Sequence, residues 1–165
     1  MIKLNFLTQK EKSVEVYKSA CIIAKVKFQR KDFLKNYPKK EIDNKEFIKE
    51  WKSKESSIIL EIEKVYHKWS KGEIIISFFP EREIFWKLPD YKRCFTFGLN
   101  NKAYIILYPT IKGKLFSFRI LIHELFHAND VLKKKFGRVE SKKHKWIEKK
   151  SKEIFKQHFS NSNRF

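Results

Sequence analysis

The sequence has little cysteine: Cys21 and Cys94 are the only two in 165 residues, far apart and in no C-x-x-C pair. That spacing argues against a disulfide framework or a thiolate metal module and points to two free thiols in apolar surroundings. A reducing, intracellular compartment is the matching expectation. Long apolar runs are missing too. None approaches the ~18 residues of a membrane span. The opening MIKLNFLTQKEK also lacks the apolar stretch of a secretory signal. The expected location is therefore cytoplasmic, or nucleoid or nuclear, with no membrane partner. Acidic residues are outnumbered: 19 Asp and Glu face 38 Lys and Arg, for a formal net charge of +19 and a pI near 9.9. Such an excess favours an anionic partner, nucleic acid first. A solvated lysine-rich surface would give the same count, so charge alone names no partner.

What is present is core-forming material, with 42% hydrophobic residues and 16 Phe. Residues 1–165 are expected to form one monomeric domain, with a helical part at 1–72, a sheet and metal-site helices at 73–159 and a frayed tail at 160–165. Proline and glycine are absent from Lys114 to Phe136, where Phe116, Ile120, Leu121, Leu125, Val131 and Leu132 recur at helical spacing. Within that stretch His123, Glu124 and His127 form H-E-x-x-H. On a helix the two histidines stand one turn apart on one face, where their imidazoles can hold one Zn²⁺. Glu124 sits beside them to take a proton from the attacking water.

Earlier in the chain, Val14, Tyr17, Cys21, Ala24 and Phe28 predict a helix from Gln9 to about Gln29. Lys31 to Tyr37 adds a short turn before Pro38. Asp43 or Asn44 can cap a longer helix carrying Phe47, Trp51, Ile58, Ile62, Val65, Tyr66 and Trp69 on one side, with Gly72 placed to end it. Three β-branched and aromatic runs follow: Glu73–Phe79, Arg93–Leu99 and Lys102–Tyr108. Asn100-Asn101 suits a tight hairpin between the last two. A final helix is expected from Ser141 to Phe159. The predicted order is ααβββαα, an α+β fold with N-terminal helices and a small three-stranded sheet, zincin-like at the metal helix.

A hydrolytic zinc site needs a third protein ligand. His144, 17 residues past the motif, shares a helical face with Ile147, Ser151 and Ile154. Glu148 competes one turn on, and Glu140, Asp130 and His158 are weaker options. Asp130 can equally orient an imidazole from outside the ligand set. Lys133, Lys134, Lys135, Arg138, Lys142, Lys143 and Lys145 cluster after the metal helix as candidate DNA contacts.

The segments AYIILYP, LIHELFHA and FGRV, then a His and Trp146, make the chain similar to the SprT-like family of zinc metallopeptidases. That family includes the Spartan DNA–protein crosslink proteases, and the resemblance spans roughly Glu73 to Phe155. It implies an α+β metallopeptidase core, with His123, His127 and the later His as zinc ligands and Glu124 as catalytic base. The family's cysteine-rich zinc ribbon has no counterpart here. The function expected is a zinc endopeptidase acting on a protein or peptide, with DNA-associated proteins as one substrate class. Rival readings are a basic nucleic-acid-binding protein with a structural zinc site and an ImmA/IrrE-like regulatory or toxin metallopeptidase. Tyr104, Tyr108 and Arg119 are candidates to stabilise an oxyanion, and Lys102–Tyr108 is the strand expected to pair with an extended substrate.

Overall fold

The computed structural model describes residues 2–7, 10–36, 44–66, 69, 72–79, 95–107, 114–133 and 141–159. The chain opens with a strand, β1 (Lys3–Leu7), which the sequence reading did not anticipate. Helices α1 (Lys10–Ile23), α2 (Arg30–Asn36) and α3 (Lys45–Tyr66) follow. Next come β2 (Glu73–Phe78), β3 (Phe95–Leu99) and β4 (Lys102–Leu107), then α4 (Lys114–Leu132) and α5 (Ser141–Phe159). The fold is mixed α+β. Among the described residues its sheet has four strands rather than three, in the order β1-β2-β4-β3. β1 and β4 both run parallel to β2, and β3 closes onto β4 as an antiparallel hairpin. Asn100 and Asn101 make that turn at φ 52° and 60°, a region asparagine tolerates better than most side chains.

Both faces of the sheet are covered, which explains why Ile74, Ile75, Ile76 and Phe78 of β2 are all buried. Ile74, Ile76, Phe78, Ala103, Ile105 and Leu107 join α3, α4 and α5 in one core, including Trp51, Phe118, Leu121 and Ile147. Ile75, Phe79, Phe97 and Ile106 join α1 and α2 in the other, with Val14, Tyr17, Cys21 and Phe33. The period of two along each strand sorts these side chains between the layers. Cys21 is buried and in no disulfide among the described residues, whereas Cys94 lies outside them.

Two helix ends differ from expectation. α1 stops at Ile23 rather than near Gln29 because Lys25 turns left-handed at φ 55°. The Val26 N–H then bonds the Cys21 carbonyl and the Lys25 N–H bonds that of Ile22, the paired bonds of a Schellman stop. α3 ends at Tyr66, and Gly72 instead precedes β2. Among the described residues no helix is long and apolar enough to cross a membrane.

Candidate metal centre

α4 is buried on nearly every side from Ser117 to Phe126, pressed between the sheet and the other helices. Gly98 permits the close approach to β3: a Cβ there would collide with Val131 of α4. On the face of α4 turned to α5, helical spacing aligns Arg119, His123, His127 and Asp130. The Nε2 atoms of His123 and His127 converge to 3.1 Å. Two ligands on a tetrahedral ion with bonds of about 2.0–2.1 Å lie about 3.3 Å apart, so the pair is spaced for a shared metal.

α5 supplies the third imidazole. His144 stands in its first turn, with ring centroids 5.0 Å from His123 and 5.6 Å from His127. Ligand atoms from these three residues lie within 4.8 Å of one another, a group able to hold a metal ion. His123 is buried, His127 half-buried and His144 exposed, so the cluster opens to solvent on the α5 side. Burial, then the neighbouring His144, pushes His123 down to about 4. Burial, then His123, pushes His127 down to about 3. Both rings are therefore neutral at neutral pH and keep a lone pair for coordination.

Glu124, next to His123 in sequence, meets β3. Thr96 Oγ1 donates to its Oε2 at 2.6 Å. Burial lifts the Glu124 carboxyl to about 7, against the opposing hydrogen bond from Thr96. A carboxyl poised there can exchange a proton in either direction near neutral pH. No sequence signal marked Thr96, because the contact joins a strand to a helix 28 residues later.

Glu148 approaches His123 from the opposite side of the ring. Its Oε2 lies 3.3 Å from His123 Nδ1, while Arg119 pairs with Oε1 and Lys152 reaches the same oxygen at 3.1 Å. Burial acts to raise this carboxyl, and the bonds from Lys152 and Arg119 outweigh it and hold it below the usual range. His144, rather than Glu148, presents its ring to the α4 pair. The partner of Asp130 among the described residues is Lys143, whose Nζ meets its Oδ2 at 2.6 Å.

Other expectations change as well. Lys143 is engaged with Asp130, and Lys133 lies over the Tyr66 ring at 4.9 Å. Of the remaining candidate DNA contacts, Lys142 stands in the first turn of α5, and Lys134, Lys135 and Arg138 lie outside the described residues, as do Glu140 and Tyr108. Tyr104 stacks on Phe97 at 5.0 Å on the α1 side of the sheet, away from the histidines. His158 sits near the far end of α5 beside Ser57. Strand Lys102–Leu107 lies between β2 and β3, so both its sides are already paired, and β3 is the edge next to α4.

Comparison with known proteins finds no matching family model, no similar curated protein and no similar solved structure.

Proposed function

We propose that the chain is a zinc-dependent endopeptidase, with His123, His127 and His144 as metal ligands and Glu124 as general base. The observation that carries this reading is the convergence of three imidazoles, with a buried carboxyl of raised pKa one residue after His123 on the same helix. Three imidazole donors and an open side are the donor set of a hydrolytic rather than a closed structural zinc site. Bound there, Zn²⁺ would supply a Lewis acid for the scissile carbonyl and acidify an attacking water toward about pKa 7. Glu124 takes the proton of that water and passes it to the leaving amine. Thr96 fixes one oxygen of Glu124, leaving the other for the proton. An extended substrate pairs along β3, the strand that carries Thr96. The likeness to SprT-like metallopeptidases supports the same assignment, and the net charge of +19 supports substrates held on nucleic acid.

The test is zinc content and cleavage of an unfolded protein by the wild-type chain, His144→Ala and Glu124→Gln. Wild type should carry about one zinc, and His144→Ala should lose most of it. Glu124→Gln should keep the metal and lose cleavage by about 10²–10⁴-fold. Full zinc in His144→Ala overturns the ligand set, and retained cleavage in Glu124→Gln overturns the base.

A further inference from the structure

His123 Nδ1 is buried and makes no well-aligned hydrogen bond, although Nε2 of the same ring faces His127 at 3.1 Å. An imidazole that gives its Nε2 lone pair to a metal must carry its proton on Nδ1. That N–H needs an acceptor, because a buried donor without one costs about 1–3 kcal/mol. The acceptor in reach is Glu148 Oε2 at 3.3 Å, longer than the ~2.7–2.9 Å of a charge-assisted hydrogen bond. Its partners Arg119 and Lys152 bind the other oxygen, Oε1, and leave Oε2 turned toward His123.

We infer that Glu148 is the positioning residue for the metal centre, accepting the His123 Nδ1 proton and so fixing the tautomer that directs Nε2 at the ion. Arg119, one turn before His123 on α4, holds Glu148 in place from the same helix that carries the ligand. The assignment rests on the metal-centre reading above and gives Glu148 a role outside the ligand set. Ring geometry separates the two roles: a carboxylate on the Nδ1 side cannot share the ion that Nε2 faces. Outer carboxylates of this kind typically change metal affinity by about 10–100-fold.

The experiment measures zinc affinity of the full chain by competition with a chromophoric chelator, for wild type, Glu148→Gln, Arg119→Ala and His144→Ala. Histidine ¹⁵N spectra of the zinc-loaded proteins are recorded alongside. Glu148→Gln should still bind one zinc, about 10–100-fold more weakly, and Arg119→Ala should weaken it less. The His123 Nδ1–H signal should be sharp and slow to exchange in wild type and broadened in Glu148→Gln, a change that general loosening of α5 would not confine to one ring. Equal affinity and an unchanged signal in Glu148→Gln overturn the inference while leaving the metal centre standing. Loss of stoichiometric zinc in Glu148→Gln, as complete as in His144→Ala, also overturns it and makes Glu148 a ligand. Failure of the wild-type chain to take up zinc removes both readings together.

Discussion

Thr96 on the sheet edge and Glu124 on the buried helix are joined by a 2.6 Å hydrogen bond. The bond ties the proposed base to the strand on which substrate would lie. Thr96→Val keeps the shape and removes the donor, leaving a buried carboxyl oxygen unsatisfied. The expected cost is about 1–3 kcal/mol of stability, read from urea denaturation. Cleavage should fall about tenfold or more, because the base is no longer held. Thr96→Ser should restore most of both. An unchanged urea midpoint and unchanged cleavage in Thr96→Val would remove Thr96 from the site.

Gly98 faces Val131 across the same helix–strand contact. Gly98→Ala should force α4 off β3 and cost about 1–3 kcal/mol, as overpacking of a filled core does. Adding Val131→Ala opens the space the new methyl needs. The double variant should therefore be more stable than the sum of the single losses by about 1 kcal/mol. Strict additivity would show that the helix relieves the clash elsewhere.

Glu73 joins three strands: Asn5 Nδ2 donates to its Oε1 at 3.2 Å, and Lys102 pairs with its Oε2 at 2.9 Å. The hydrogen bonds from Lys102 and Asn5 hold its carboxyl below the usual range against a small burial effect. A depressed folded-state pKa stabilises the fold above the unfolded value of about 4.3 and ceases to do so as pH falls through the folded value. Glu73→Gln should thus be less stable than wild type at pH 7, by about 0.5–1 kcal/mol given the group's partial exposure. The gap should close below pH about 4. A gap that persists unchanged at acid pH would assign the loss to packing instead.

Nucleic-acid binding, if the charge serves it, must use lysines that are not already engaged across α4 and α5. Lys145 and Lys149 are exposed one turn apart on α5, the helix that carries His144. Changing both to Glu should weaken DNA binding and lower the salt slope by about two, because each phosphate contact releases roughly one counterion. Zinc content should stay the same. Weak binding with a flat salt response in both proteins would remove the nucleic-acid role and leave the proposed peptidase reading untouched.

Much of this fold is written locally and some of it is not. The Asn100-Asn101 turn, the apolar runs of β2 and β4 and the i, i+4 histidines all depend on neighbours in sequence, and those signals were readable. β1 was missed because KLNFL is only five residues long and finds its partner in β2, Lys3 opposite Glu73. The premature stop of α1 depends on a left-handed Lys25, a residue type with no special preference for that region. The edge role passed from β4 to β3 because strand order is a property of the whole sheet. Within the site, His144 followed from helix phase, whereas Thr96 and the orientation of Glu148 follow only from how β3, α4 and α5 pack together.

His144 occupies the first turn of α5, beside Lys143 and its bond to Asp130, while His123 and His127 lie deep within α4. Helix ends open at far lower free energy than cores. Unwinding one turn from Ser141 withdraws Lys143 and His144 together and leaves the α4 pair, the sheet and the aromatic core in place. A metal held by the three proposed ligands would therefore enter and leave through a local breathing motion of α5. Sensitivity to a chelator and resistance to heat become separate properties of this chain, the first set by one helix end and the second by the two buried cores.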